Sequence, residues 1–110
     1  MEPAHILLVE DNAGDALLVH QVLSSCPVAF RLHVARDGEQ ALQMLADPNL
    51  ELDLIILDLN LPRITGLGVL KRYHAKDAPI VVFSASSRQT DKEFALVLGA
   101  SDYVQKPTDL

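Results

Sequence analysis

Five polar residues in this sequence follow short apolar runs, and their chemical types suit the binding of a cation together with a phosphate group. Glu10 and Asp11 come directly after residues 6–9, Asp58 after residues 54–57 and Ser84 after residues 80–83. Lys106 comes shortly after a weaker run at residues 102–104. Carboxylates held together repel each other, by ~4 kcal/mol for two unit charges about 4 Å apart at an effective dielectric constant of about 20. A lysine alone does not balance this acidic set, whereas a hard divalent cation with oxygen ligands does. The residue types therefore predict a site for Mg²⁺ and a phosphoryl group.

The apolar runs have the pattern of strands that are buried on both faces. Residues 6–9, 54–57 and 80–83 are continuously apolar, which is typical of a parallel sheet covered by helices. Two weaker strands are expected at residues 30–34 and 102–104.

Apolar residues at helical spacing lie between the predicted strands. The first helix is expected over residues 13–25, and the fourth begins with Thr90 and Glu93 in the spacing of a capping box and stops at Gly99. Two apolar stripes indicate the second and third helices: Ala41, Leu42 and Leu45, and Leu67, Leu70 and His74. Because strands and helices alternate, we predict an α/β fold with a right-handed parallel sheet.

An open parallel sheet would bring the polar residues together. All of its strands end at one edge, and ligands bind at the point of that edge where the strand order reverses. In the order 2-1-3-4-5, which is common for this arrangement, that point lies between the first and third strands. We therefore expect Glu10, Asp11 and Asp58 to converge there, with Ser84 and Lys106 close by.

Length and composition indicate one globular domain. The 110 residues are 49% hydrophobic and carry a net charge of −6, with 15 acidic and 9 basic side chains, so direct nucleic acid binding is not expected. The single cysteine, Cys26, cannot form an internal disulfide. No apolar run approaches the ~20 residues of a membrane span, and the start lacks the features of a secretory signal. We expect a cytoplasmic protein that contacts no membrane.

The segments around the polar residues resemble the receiver domains of bacterial two-component response regulators over essentially the whole chain. The matching segments are residues 6–12, 53–62, 81–85 and 99–107, in the family's order and at similar spacing. The resemblance implies a flavodoxin-like sheet of five parallel strands in the order 2-1-3-4-5, with helices on both faces. The segments 10–15 and 59–62 further resemble the single-domain regulators that partner bacterial phytochromes and related sensor kinases.

The resemblance implies that Asp58 is the phosphoacceptor, which becomes an aspartyl phosphate. It also implies a Mg²⁺ site in which Asp11, Asp58 and the backbone carbonyl of Asn60 are direct ligands. Glu10 matches the acidic neighbour that acts through a metal-bound water.

Further positions match the residues that bind and sense the phosphoryl group. Ser84 and Lys106 match its hydroxyl and ammonium partners, and Ala85 beside Ser84 is small enough to leave access to Asp58. Ser84 and Tyr103 match the pair that switches conformation. The family's peptide bond between the lysine and the following proline, here Lys106 and Pro107, is typically cis.

The implied function is signalling rather than ordinary enzymatic turnover. The phosphoryl group would come from the phosphohistidine of a sensor histidine kinase or phosphotransfer protein. A downstream protein would then recognise the changed surface near the fourth helix and fifth strand.

The sequence also departs from the family. Residues 63–66 read Arg-Ile-Thr-Gly where Met-Asp-Gly is frequent, and Gly68 replaces a common acidic residue, which affects the third helix rather than the site. A fifth helix should follow Pro107, whereas the sequence given stops at Leu110. We therefore expect residues 1–110 to form a receiver domain that lacks this helix. The apolar surface left uncovered predicts a homodimer or other self-association.

Two other functions are compatible with the predicted topology. A flavodoxin-like binder of flavin or nucleotide would surround phosphate with backbone amides, but Glu10, Asp11 and Asp15 in the first loop would repel it. The second possible function is that of a receiver-like interaction module that is no longer phosphorylated. All the site positions carry the residues expected for phosphorylation, so nothing in the sequence supports this loss.

Overall fold

Strands and helices alternate along the chain, as the apolar pattern predicts. The computed structural model describes residues 2–73 and 78–107, which contain five strands and four helices. In chain order the elements are β1 (Ala4–Val9), α1 (Ala13–Ser24), β2 (Phe30–Ala35), α2 (Gly38–Leu45), β3 (Leu54–Leu57), α3 (Gly66–Arg72), β4 (Ile80–Ser84), α4 (Gln89–Val97) and β5 (Asp102–Gln105). Within the described ranges, no helix is long and apolar enough to cross a bilayer.

The strands form one parallel sheet in the order β2-β1-β3-β4-β5, which confirms the predicted topology. The continuously apolar strands β1, β3 and β4 occupy its centre, where each has a neighbouring strand on both sides. The edge strands β2 and β5 carry polar residues such as Arg31 and Gln105, because one side of each faces solvent.

The two faces of the sheet are packed unequally. Alternate strand residues such as Leu7, Ile55 and Val82 point to the face that carries α2, α3 and α4, and they form the buried core with Val69 and Ala95 of these helices. The opposite face carries α1. Among the described residues no second helix covers that face.

The end of α4 agrees with the prediction, but its start does not. Gly99 adopts a φ of +115°, a left-handed conformation that ends the helix at little steric cost. The predicted capping box of Thr90 and Glu93 is wrong, because α4 begins at Gln89 and its N-cap, Arg88, makes no side-chain capping bond. Thr90 therefore lies inside the first turn. His74, expected in the third helix, lies outside the described residues.

Two local features fix the helices that begin beside the polar edge of the sheet. Asn12 caps α1, and its Oδ1 accepts a hydrogen bond from the N–H of Asp15 at 2.9 Å. Gly66 begins α3 so close to β3 that a Cβ there would lie 2.3 Å from the carbonyl oxygen of Asp58. Only glycine permits this approach, which places the start of α3 directly against the backbone of Asp58.

An apolar groove of about 400 Å³ lies on the less covered face, between α1 and strands β3 to β5. Its lining is almost entirely aliphatic and aromatic: Leu18, Val19, Val22, Leu23, Leu54, Ile56, Val81, Phe83, Val104, Gln105 and Pro107. Exposed apolar surface of this kind favours contact with another apolar surface.

We propose that two copies of the 110-residue chain associate through this groove. Val104→Lys places a charge on a groove-lining side chain that is 44% exposed, and it should lower the dimer fraction measured by light scattering. Val34→Lys is the matched control, because Val34 is 37% exposed on the opposite edge strand, β2, outside the groove. A wild-type chain that stays monomeric at all concentrations would contradict the proposal.

Candidate functional site

Three carboxylates meet where β1 and β3 end. Val9 pairs with Leu57, so the residues that follow them, Glu10 and Asp58, are neighbours, and the N–H of Asp58 donates to the Val9 carbonyl at 3.0 Å. One carboxylate oxygen from each of Glu10, Asp11 and Asp58 lies within 4.8 Å of the other two. Glu10 and Asp58 are buried and Asp11 is exposed. The predicted convergence of these three side chains is therefore confirmed.

Lys106 supplies the positive charge of this cluster. Its backbone N–H donates to the carbonyl of Ser84 at 2.7 Å, which continues the pairing of β4 and β5 by one residue. Its Nζ donates hydrogen bonds to Glu10 at 2.6 Å, Asp15 at 2.8 Å and Asp58 at 3.0 Å. These bonds use all three N–H donors of the ammonium group, which is why it can be buried.

Burial and shared hydrogen bonds set the ionisation of the cluster. Burial raises the pKa of Glu10 from its ordinary value of 4.5 to about 7, although the hydrogen bond from Lys106 acts in the opposite direction. Burial alone would lower the pKa of Lys106, but hydrogen bonds to Asp15, Glu10 and Asp58 together outweigh it and raise that pKa. The two shifts have different causes: burial and, to a lesser extent, the charge of Asp58 raise the pKa of Glu10, whereas hydrogen bonds to three carboxylates raise the pKa of Lys106 against the effect of burial.

Asp15 belongs to the cluster although it does not directly follow a strand, and the sequence pattern did not predict it as a site residue. It lies in the first turn of α1, three residues after the N-cap Asn12. The Asn12 and Asp15 spacing, directly after the Glu10 and Asp11 pair, is the sequence signal that places this carboxylate next to the loop. Its side chain is 34% exposed, so it lies at the rim of the site rather than inside it.

The remaining predicted residues surround the carboxylates. Ser84 is buried, and its Oγ accepts a hydrogen bond from the N–H of Ser86 at 3.2 Å. Tyr103 is half-buried, and its hydroxyl donates to the carbonyl of Ser86 at 2.8 Å. Ala85 and Asn60 are exposed on the wall of a neighbouring polar pocket of about 360 Å³, and the Asn60 N–H donates to Asp58 Oδ1 at 3.2 Å.

The expected cis bond between Lys106 and Pro107 is not found, because the chain has no cis peptide in its described parts. A peptide bond before proline still favours trans by ~0.5–1 kcal/mol unless the surrounding structure holds it cis. Lys106 makes all three of its carboxylate contacts with the bond in the trans form. The contacts of the site therefore do not require a cis bond here.

The arrangement is chemically suited to a hard cation and to an incoming anion. Carboxylate oxygens are the ligands that Mg²⁺, Mn²⁺ and Ca²⁺ take, and the three of Glu10, Asp11 and Asp58 are close enough to share one ion. Lys106 adds a fixed ammonium beside Asp58. A sequence model of the response regulator receiver domain matches residues 6–110.

The chain belongs to the response regulator receiver domain family. Such domains are phosphoacceptors of two-component signalling, and they interact with histidine kinases and downstream effectors. The nitrate/nitrite response regulator NarL of Escherichia coli is 39% identical over 114 residues, which cover 99% of this chain and 52% of NarL. The chain thus spans about half the length of the curated relatives that it matches.

Solved receiver structures share the fold closely. The Mn²⁺-bound form of the response regulator Rcp1 superposes with a TM-score of 0.90 at 32% identity, covering 98% of this chain and 84% of Rcp1. The phosphorylated cyanobacterial phytochrome response regulator RcpA gives the same TM-score at 31% identity, with the same coverage of 98% and 84%. The resemblance to phytochrome-associated regulators is therefore supported at the level of structure.

Because the pKa of Glu10 is raised in the folded chain, we expect the free energy of unfolding to depend on pH. The Glu10 carboxylate takes up a proton at about pH 7 in the folded chain but near 4.5 when unfolded, so the folded state binds more protons between these values. Glu10 therefore opposes folding above pH 7, and acidification from pH 7 towards 5 relieves this penalty, by at most ~3 kcal/mol. Urea unfolding in metal-free buffer measures the effect.

The comparison of two variants isolates the contribution of Glu10. Glu10→Gln should remove the stabilisation on acidification, whereas Glu51→Gln, at an exposed loop position before β3, should retain it. Equal pH profiles for wild type and Glu10→Gln would show that Glu10 does not titrate in this range.

Proposed function

We propose that Asp58 is the residue of this receiver domain that accepts the phosphoryl group. The observation that carries the assignment is the position of the Asp58 carboxylate, which is buried, 3.0 Å from the Lys106 ammonium and within a group of three carboxylates. Glu10 is also buried, but it has the shorter bond to Lys106, at 2.6 Å, and its pKa is raised, so it is the poorer nucleophile near neutral pH.

We propose Mg²⁺ as the cation, with Asp11, Asp58 and the backbone carbonyl of Asn60 as direct ligands and Glu10 acting through a water. The donor set supports this assignment, because hard oxygen ligands and few protein contacts suit Mg²⁺. Rcp1, a similar regulator, binds Mn²⁺, an ion that takes the same class of ligand. When bound, Mg²⁺ supplies positive charge to the oxygens of the phosphoryl group.

The chain's own residues position the groups that react. An oxygen of Asp58 forms a bond to phosphorus while the P–N bond of a donor phosphohistidine breaks and its electron pair stays on the imidazole. The Lys106 ammonium pairs with one phosphoryl oxygen and the Ser84 hydroxyl donates to another, while the small Ala85 leaves the approach open. Such transfer depends on positioning and charge neutralisation more than on covalent chemistry by the protein.

Ser86 connects the phosphoryl-binding residue Ser84 with Tyr103 through two hydrogen bonds. The Ser86 N–H donates to the Ser84 hydroxyl, and the Ser86 carbonyl accepts from Tyr103. We propose that Ser84, drawn towards a phosphoryl oxygen, changes the position of Ser86 and with it the hydrogen bond of Tyr103. A downstream protein then distinguishes the two states at the surface of α4 and β5.

We propose that the partner is a sensor histidine kinase or phosphotransfer protein. The similarity to phytochrome response regulators supports a kinase of the phytochrome-associated kind. We place the chain in the cytoplasm, where such a kinase has access to ATP. Its net charge of −6 argues against direct contact with nucleic acid. The domain catalyses only its own phosphorylation and dephosphorylation, and its downstream target is a protein.

Phosphorylation with a small donor tests the assignment of Asp58. Incubation with Mg²⁺ and acetyl phosphate should add one phosphoryl group by intact mass spectrometry, and Asp58→Asn should abolish the addition. Asp53→Asn is the matched control, since Asp53 lies just before the other end of β3 and should be phosphorylated as the wild type is. Modification that persists in Asp58→Asn would refute the assignment.

Removing one carboxylate tests the metal site. In the absence of metal, Asp11→Asn or Asp58→Asn should raise the free energy of unfolding by roughly 1–2 kcal/mol, because repulsion between carboxylates is lost. Asp11→Asn is the cleaner variant, since Lys106 bonds Asp58 but not Asp11. Mg²⁺ at about 100 times its Kd should stabilise the wild type by ~2.7 kcal/mol and the variants much less.

Thermal melting with and without Mg²⁺ measures both effects, and Glu51→Gln controls for the loss of one negative charge elsewhere. A metal-free melting temperature that falls by several degrees in Asp11→Asn would show that Asp11 does not repel its neighbours.

A further inference from the structure

Asp15 differs from the other carboxylates that bind Lys106. Glu10, Asp11 and Asp58 form the group that can share a cation, and Lys106 bonds two of them, Glu10 and Asp58. Asp15 is the third partner of Lys106, at 2.8 Å, and lies outside that group. Within residues 2–73 and 78–107, it is therefore the one carboxylate partner of Lys106 that lies outside the group proposed to hold the metal.

Binding of the metal and the phosphoryl group changes the surroundings of Lys106. If Asp58 carries a phosphoryl group and Glu10 acts through a metal-bound water, two of the three carboxylate acceptors of the Lys106 ammonium would be engaged elsewhere, and a phosphoryl oxygen would replace only one of them. A lysine side chain has four carbons between its backbone and its charge, so it loses its position easily when contacts are lost. The contact with Asp15 remains available throughout.

The position that Asp15 gives to Lys106 is compatible with phosphoryl binding. The Lys106 Nζ bonds Asp15 and Asp58 at the same time, so the contact with Asp15 holds the ammonium beside the phosphoacceptor and does not withdraw it. Asp15 itself is held by the cap of α1, where its N–H donates to Asn12 Oδ1. Asp15 therefore lies in helix α1 and not in the loop of Glu10 and Asp11 that follows β1.

We propose that Asp15 is a positioning residue, which fixes the Lys106 ammonium at the phosphoryl site through a hydrogen bond from α1. The inference rests on the proposed roles of Asp58 and Lys106. It assigns no contact between Asp15 and either the metal or the phosphoryl group. Its effect on phosphorylation therefore depends entirely on Lys106.

The experiment measures phosphorylation and metal binding separately. At saturating Mg²⁺, Asp15→Asn should lower the rate constant for phosphorylation by acetyl phosphate roughly tenfold, the size expected for losing a charged hydrogen bond. The Kd for Mg²⁺, measured by titration calorimetry without donor, should change by less than about threefold, since Asp15 is not a ligand. Asp15→Glu, which keeps the carboxylate, should recover most of the rate.

Two further readouts separate positioning from a general effect on the fold. In the metal-free protein, nuclear magnetic resonance should show faster solvent exchange of the Lys106 ammonium protons in Asp15→Asn than in the wild type. In a Lys106→Ala background, Asp15→Asn should have no additional effect on the rate. Glu51→Gln, which removes an exposed negative charge, should behave as the wild type in every assay.

The outcomes distinguish this inference from the proposed function. If the wild type is phosphorylated on Asp58 and Asp15→Asn reacts equally fast, Asp15 does not position Lys106. A loss of rate that persists in the Lys106→Ala background, or that Asp15→Glu fails to recover, overturns the inference as well. If the wild type itself is not phosphorylated on Asp58, the assignment of the phosphoacceptor fails, and the ammonium exchange measurement still tests the contact between Asp15 and Lys106.

Discussion

The arrangement of the site depends on one buried ammonium group that three carboxylates share. A charged lysine is costly to bury unless each of its donors has an acceptor, and Lys106 finds three. Glu10 follows β1, Asp58 follows β3 and Lys106 follows β5, while Asp15 lies in the first turn of α1. The contacts of Lys106 therefore connect four elements at one edge of the sheet. The geometry of the site is therefore fixed by charge as well as by the packing beneath it.

Lys106 neutralises only part of the negative charge of the carboxylates, and the remaining negative charge explains why the site favours a cation. Among the described residues, three carboxylates bind Lys106 and a fourth, Asp11, lies beside them, so negative charge is in excess in this cluster. Burial raises the pKa of Glu10, and the negative charge of Asp58 raises it further. A site that is electrostatically strained without ligand gains stability from a cation, which is the expected compromise between folding and function.

The sheet gives this site a rigid base on one face and leaves the other less covered. Buried residues of α2, α3 and α4 pack against β1, β3 and β4, and the strand ends carry the carboxylates. Gly66 keeps α3 against the backbone of Asp58. On the opposite face, α1 borders an apolar groove, and α1 also carries Asp15. The same helix therefore carries both groove-lining residues and the Asp15 partner of Lys106.

The sequence by itself determined the elements, their order and the edge at which the polar residues meet. Continuous apolar runs and helical spacing are local patterns, and all strands of a parallel sheet end at one edge. In the common order 2-1-3-4-5 the first and third strands are neighbours, which brings Glu10, Asp11 and Asp58 together. The roles of Ser84 and Tyr103 came from resemblance to a family rather than from spacing.

Only the tertiary structure decided which of the neighbouring groups make contact. Asp15 bonds Lys106 because the cap of α1 turns its first helical turn towards the end of β5, a relation between residues 91 positions apart. The start of α4 at Gln89 likewise depends on surrounding contacts that local spacing does not encode. A long lysine side chain has several carboxylates within its range, and packing in three dimensions selects among them.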